Sequence, residues 1–193
     1  MCTARSKRLI MNTEVIEGST KCEIRSVMER SAKKLMATVF WDEHGVIYME
    51  FMERGTKGDK RSVTQDTYVE TLYNLRKQIK KKRPGLLTKG VWLFHDNASS
   101  HGARLTLIFL DDFGWQVFGH PPYSPDLAPS DFHLFPHLKT WLGSQRFTSD
   151  SELKSGVTGY FRNLGPEYYR LGIENLVKRY DKCLNLGGDY VEK

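Results

Sequence analysis

Apolar positions along the chain follow two different periods. Leu35-Met36-Ala37-Thr38-Val39-Phe40-Trp41 is almost continuously apolar, and a second run, Val46–Met52, follows the turn-forming Asp42-Glu43-His44-Gly45. Two such runs around a short polar turn predict a β-hairpin. The polar stretch 53–62, with Gly55 and Gly58, reads as a loop. Tyr68, Leu72, Leu75 and Ile79 then recur at i, i+4, i+7 and i+11, one face of a 3.6-residue period. They predict a helix with Thr64 as its cap, stopped at Lys80-Lys81-Lys82-Arg83 before Pro84-Gly85.

Val91-Trp92-Leu93-Phe94 has the pattern of a strand buried on both faces, and His95-Asp96-Asn97 lies at its C-terminal end. A helix over 101–113 follows, with Ala103, Leu107 and Leu110 inward and Gly114 closing it. Trp115–Phe118 predicts another short strand. The Pro-rich segment Pro121–Pro129 fits neither regular helix nor ladder strand. Ser130 reads as the N-cap of a helix through Asp131, Leu134, Leu138 and Leu142. Two amphipathic helices complete the chain, one carrying Leu153, Val157, Tyr160 and Leu164, the other Tyr169, Ile173, Leu176 and Tyr180.

Residues 1–33 are poorly patterned, with Leu9-Ile10-Met11 and Val15-Ile16 as a short strand candidate in polar surroundings. The division is therefore a weakly patterned segment, 1–33, and a folded region, 34–193. The order hairpin, helix, strand, helix, strand, helices predicts an α/β or mixed-sheet arrangement with helical packing at its end.

Composition narrows this picture. A chain of 193 residues supports one domain with a sizeable core. Lys plus Arg exceed Asp plus Glu by 29 to 23, a net charge of +6, which points mildly to a polyanionic partner but is common among soluble proteins. The three cysteines, Cys2, Cys22 and Cys183, have no CxxC spacing. They argue against a disulfide framework or a zinc site and fit a reducing, intracellular compartment. No apolar run is long enough to cross a bilayer, and no signal-peptide-like stretch follows the N-terminus.

The candidate chemistry rests on Asp96 and Asp131, which have 34 residues between them (131 − 96 = 35). A strand end and a helix start can converge at one sheet edge. Two carboxylates there would repel unless a cation lay between them, and Mg²⁺ suits oxygen ligands with open positions for water and phosphate. Two ions about 4 Å apart would serve an in-line phosphoryl displacement. The plainer alternatives are that Asp131 favours a helix N-terminus and that Asp96 caps a turn.

The residues around the two aspartates go further. His95-Asp96-Asn97-Ala98-Ser99-Ser100-His101, followed by Pro121-Pro122-Tyr123-Ser124-Pro125-Asp126-Leu127-Ala128-Pro129-Ser130-Asp131-Phe132-His133-Leu134-Phe135, resembles the mariner branch of the Tc1/mariner transposases, including the 34-residue spacing. The resemblance extends to Trp41-Asp42 with Gly45-Val46-Ile47-Tyr48, and to Arg179–Cys183 with Gly187–Tyr190. It implies an RNase H-like mixed sheet with flanking helices and cut-and-paste DNA transposition by two-metal phosphoryl transfer. It implies Asp96 and Asp131 as catalytic, metal-binding residues, Mg²⁺ or Mn²⁺ as cofactor, transposon ends and target DNA as partners, a homodimer, no membrane, and a nuclear location.

The resemblance also implies a first aspartate, in a TGDE-like motif on the first strand, and N-terminal helix-turn-helix domains. Neither motif occurs in these 193 residues. The expectation is a partial catalytic domain that lacks its first strand, with two neighbours left short of ladder partners, and that does not transpose alone. Residues 8–16, with Glu14, are the candidate substitute. The alternative reading is a domesticated, non-catalytic DNA- or partner-binding module, as in a fusion of a SET domain with a mariner segment.

Four smaller features stay open. Arg76, Lys77 and Lys80–Arg83 could contact phosphates or simply end a helix. His133 and His137 share a helix face, without further ligands at zinc spacing. His95 and His101 flank Asp96 and could orient a ligand or merely pack. Tyr123 and its prolines make a rigid loop that could position Asp131 or meet DNA or a second subunit.

Overall fold

The computed structural model describes residues 8–14, 35–53 and 64–191. The predicted loop at 53–62 falls outside these residues apart from Glu53, as do Val15-Ile16 and the rest of the weakly patterned N-terminal segment.

Five strands form one mixed sheet in the order β3-β2-β1-β4-β5. They are β1 (Arg8–Glu14), β2 (Leu35–Asp42), β3 (Gly45–Glu53), β4 (Val91–Phe94) and β5 (Gln116–Phe118). β2 and β3 are the predicted hairpin. Gly45 adopts φ +123° at its turn, where an L side chain would be strained. A bulge follows, with Phe40 opposite Tyr48 but Trp41 opposite Val46. It lets the consecutive residues Ile47 and Tyr48 pack on the same core.

The expectation of a missing first strand is overturned. β1 occupies the centre of the sheet, antiparallel to β2 and parallel to β4. Its sequence, Arg-Leu-Ile-Met-Asn-Thr-Glu, holds only three consecutive apolar residues, too few for a period to show. Ile10 joins the core on one face and Met11 the core on the other, each 0% exposed. The backbone groups of β2 and β4 that required a partner find it here.

Helices α1 (Gln65–Lys82), α2 (Leu86–Lys89) and α3 (Arg104–Asp112) belong to one side of the sheet. Tyr68, Leu72, Leu75 and Ile79 of α1 meet Ile10, Phe40 and Leu93 there. Thr64 caps α1, accepting from Thr67 N–H, while Thr67 reaches back to Thr64 N–H. On the other side lie α4 (Phe135–Gly143), α5 (Asp150–Asn163) and α6 (Pro166–Asn185). Leu138, Val157, Phe161, Tyr169 and Leu176 cover Met11, Val39, Trp41 and Phe94. This is the expected α/β, RNase H-like mixed sheet with flanking helices. Among the described residues, no helix is long and apolar enough to cross a membrane.

Two helix expectations need correction. α3 begins at Arg104 rather than His101, because Ala98 C=O accepts both His101 and Gly102 N–H and holds 98–102 in a turn. Its inward residues are Thr106 and Leu110, while Leu107 is 49% exposed. Thr106 takes the inward place by donating its hydroxyl to Ser100 C=O at 2.7 Å, a polar contact that apolar periodicity does not register. Ser130, likewise, caps nothing. Ser130–Leu134 is a π-helical turn leading into α4, whose Pro136 has no amide hydrogen to give that turn.

Asp42 also exceeds its expected role as turn chemistry. It is 0% exposed and takes a two-pronged bond from Arg83, Nε to Oδ2 at 2.8 Å and Nη2 to Oδ1 at 2.9 Å. His44 N–H donates to the same Oδ1 at 2.9 Å. Lys82 Nζ donates to Ile47 C=O at 2.6 Å. Two residues of the basic helix end are thus committed to locking α1 onto the hairpin. Asp42→Ala is expected to destabilise the fold by about 3–5 kcal/mol, since it leaves a guanidinium with little solvent and no carboxylate. Urea unfolding checks this, and a loss within about 0.5 kcal/mol would place the pair among ordinary surface bridges.

Candidate metal-binding cleft

Asp96 and Asp131 reach one cleft from different sides of the fold. The cleft encloses about 470 Å³ and is lined by Asp96, Asn97, Ala98, His120, Pro122, Tyr123, Ser124, Pro125 and Asp131. Asp96 follows β4 by two residues, so the buried strand delivers it at the sheet edge. Asn97 Nδ2 donates to His120 C=O at 2.9 Å and ties the ends of β4 and β5 together beneath it. His120 stacks edge-on against Phe94, with ring centroids 5.0 Å apart, and burial pushes its imidazole below the usual range.

The two carboxylates have opposite surroundings. Asp96 Oδ1 accepts His101 Nδ1–H at 2.6 Å and Ala98 N–H at 3.0 Å. The His101 bond, helped by Ala98, holds its carboxyl below the usual carboxylate range against a partial desolvation by the surrounding protein. No hydrogen bond or ion pair among the described residues reaches the Asp131 carboxylate. Burial, and then the charge of Asp96, push it up to about 6. An oxygen donor set that repels itself at neutral pH is the environment a divalent cation relieves. Among the described residues, no group of three or more His, Cys, Asp or Glu side chains is placed to hold a metal ion.

Asp131 is positioned at long range. Trp41 Nε1–H donates to Ser130 Oγ at 3.0 Å, joining β2 to the π turn across 89 residues of sequence. Both are buried, at 0% and 3% exposure. Asp126 is a buried anchor that the sequence motif did not single out: its Oδ2 accepts Val191 N–H at 2.8 Å, and its C=O accepts Arg179 Nη1–H at 3.0 Å. Tyr123, at the cleft rim, has φ +55° and a fully exposed ring, so the loop holds it outward despite backbone strain.

The histidines divide by role. His95 Nδ1 pairs with Tyr68 Oη at 3.0 Å, and burial pushes its imidazole down to about 3, keeping it neutral. His101 binds Asp96 directly. His133 and His137 are structural: His133 Nε2–H donates to Tyr168 C=O at 2.9 Å, and His137 Nδ1 contacts Tyr168 Oη at 2.9 Å.

Known proteins resemble this chain in sequence and in fold. A family model described as Transposase (partial DDE domain) matches residues 15–89. The chain is 39% identical over 165 residues to the mariner Mos1 transposase of Drosophila mauritiana, covering 84% of this chain and 46% of that protein. It is 32% identical over 161 residues to the histone-lysine N-methyltransferase SETMAR of Homo sapiens, covering 83% of this chain and 23% of that protein. It thus spans less than half the length of either relative. The structure of the Mos1 catalytic domain with raltegravir and Mg superposes with a TM-score of 0.81 at 34% identity, covering 95% of this chain and 85% of that one. The Mos1 paired-end complex with left transposon end gives a TM-score of 0.82 at 32% identity, covering 98% and 58%.

The Asp131 environment makes a prediction with a definite sign. Its folded pKa of about 6 exceeds the reference 3.8, so the folded state holds the proton more tightly. The resulting stability is present below pH 4 and is lost as pH rises through 6. Asp131→Asn, melted in EDTA, is therefore expected to exceed the parent at pH 7 and to match it near pH 4. Discounted for solvent screening, the gain is about 1 kcal/mol, or roughly 2–4 °C. A variant that melts lower than the parent at pH 7 would contradict the crowded-carboxylate picture.

Proposed function

This chain belongs to the mariner-type DNA transposases as part of their catalytic region, and from that membership we propose that Asp96 and Asp131 hold Mg²⁺ or Mn²⁺ for phosphoryl transfer on DNA. The observation that carries the proposal is the shared cleft, in which a tethered Asp96 faces an unpaired Asp131 of raised pKa. Divalent cations bound there would stabilise the phosphate oxygens as one P–O bond forms and another breaks. The chain's own residues supply the setting. His101 and Ala98 N–H hold Asp96 Oδ1, and the Trp41–Ser130 bond fixes the turn that presents Asp131. Tyr123 offers an exposed ring at the rim, suited to stack on a base. Solved Mos1 structures include the catalytic domain with Mg or Mn and a paired-end complex with the left transposon end. These support DNA as the partner here, with a paired assembly and a nuclear site of action as extensions of the same reading.

The second reading, DNA binding without cleavage, is favoured by one observation. Within β1 the acidic residue is Glu14, where the family resemblance implies an aspartate on the first strand. On that ground cleavage by this chain alone is expected to be weak.

Two measurements separate the readings. Mn²⁺ is expected to raise the melting temperature at pH 7.5, and Asp96→Asn or Asp131→Asn to abolish the rise. Incubation with a mariner-end duplex and Mn²⁺ is expected to show salt-sensitive binding and little nicking. Efficient nicking lost in Asp96→Asn would establish the enzyme and refute the expectation of weak cleavage. No Mn²⁺ stabilisation in the parent would refute the cation site.

A further inference from the structure

We infer that His101 is a positioning residue for Asp96: its imidazole selects which carboxylate oxygen faces the cleft, and so sets how tightly the Asp96–Asp131 pair takes a divalent cation. The inference rests on the cation reading above and adds to it a residue that touches neither cation nor DNA.

The geometry is one-sided. Asp96 is well exposed, its side chain at 61%, whereas the His101 side chain is at 2%. A solvent-exposed carboxylate rotates freely, and ordering it on binding costs conformational entropy. Here Oδ1 is held twice, by His101 Nδ1–H at 2.6 Å and by Ala98 N–H at 3.0 Å. Among the described residues Oδ2 makes no hydrogen bond. The two oxygens are therefore not equivalent: one is bound to the protein, the other is left for a ligand.

His101 is itself fixed from behind. Its ring lies on the His95 ring at 4.8 Å with planes 6° apart, and against the Tyr68 ring at 4.2 Å. Tyr68 Oη meets His95 Nδ1 at 3.0 Å, and Tyr68 belongs to the core of α1. His101 N–H also donates to Ala98 C=O at 2.9 Å, closing the turn that returns the imidazole to Asp96. Held by the turn at 98–102, the Nδ1–H can orient an exposed acceptor, while the two stacked rings support the packing behind it. Partners of this kind commonly change metal affinity by roughly 10–100-fold when removed.

A purely structural role would place the value of His101 in its ring rather than in its Nδ1–H. Two substitutions separate these. His101→Phe keeps an aromatic ring for the stack and removes the donor. His101→Asn keeps a donor nitrogen near the place of Nδ1 and removes the ring. Mn²⁺ binding by the full chain is followed through the EPR signal of free Mn²⁺, alongside melting in EDTA. The expected result is a loss of Mn²⁺ affinity of roughly tenfold or more in His101→Phe, with affinity in His101→Asn near the parent although it melts lower. Parent-like Mn²⁺ binding in His101→Phe, or equal losses in both variants, would overturn the inference. If His101→Phe does not fold, His101→Asn decides. Near-parent affinity supports the positioning role, and a loss as large as that of Asp96→Asn refutes it. Mn²⁺ binding by the parent that is indifferent to Asp96→Asn would instead sink the cation reading itself.

Discussion

The bond from Trp41 to Ser130 is the constraint on which the arrangement of the cleft depends. A fully buried indole N–H needs an acceptor, and the one it finds is the hydroxyl beside Asp131. That single contact joins the second strand of the sheet to the turn that presents the carboxylate. Tyr169 packs on the same indole at 5.7 Å, and its hydroxyl donates to Phe161 C=O at 2.7 Å, so α5 and α6 are drawn in as well. Gly172 completes the arrangement. A Cβ there would stand 3.1 Å from Trp41 Cη2 and 2.5 Å from His133 Cδ2, so α6 reaches this depth because position 172 carries no side chain. Strand, turn and helix thus behave as one packed unit, and Asp131 inherits its rigidity.

The two aspartates are secured by opposite strategies on opposite faces. Asp131 depends on residues far away in sequence, through the core that contains Met11, Val39 and Trp41. Asp96 depends on a turn of its own neighbourhood, 96–101, backed by Tyr68 from the other core. β4 mediates between them, with Leu93 in one core and Phe94 in the other. Such a division has a mechanical consequence. Loosening one core shifts one carboxylate relative to the other, so the separation of the pair reports on the whole sheet rather than on either loop.

Much of this was legible in the sequence, and the failures have physical reasons. Hairpin, α1, β4 and the last two helices follow from apolar periods because each packs a single face or a simple two-faced strand. Leu107 fits an inward apolar period but lies outward, because Thr106 is anchored inward by a hydrogen bond. Ser130 has the residue type of a cap, but its partner is an indole 89 residues away, which local sequence does not reveal. Lys82 and Arg83 looked like a solvated or phosphate-binding terminus, but their acceptors, Ile47 C=O and Asp42, lie on the hairpin. Asp96 and Asp131 were identifiable from their spacing and neighbours. That His101 rather than His95 holds Asp96 was not, since both flank it in sequence and only the backbone turn at 98–102 decides.

The central strand carries the most general lesson. A missing motif does not entail a missing strand, because in β1 fold and chemistry are specified by different residues. What the sheet requires there is a run of backbone donors and acceptors between β2 and β4, and apolar side chains able to enter both cores. Leu9, Ile10 and Met11 meet that need, with Ile10 and Met11 fully buried. The parallel ladder runs from Arg8 opposite Val91 to Met11 opposite Phe94 and ends two residues before Asp96. None of the packing just described depends on whether an acidic residue stands beyond that end. The strand can therefore keep the sheet whole whether or not a third carboxylate joins Asp96 and Asp131.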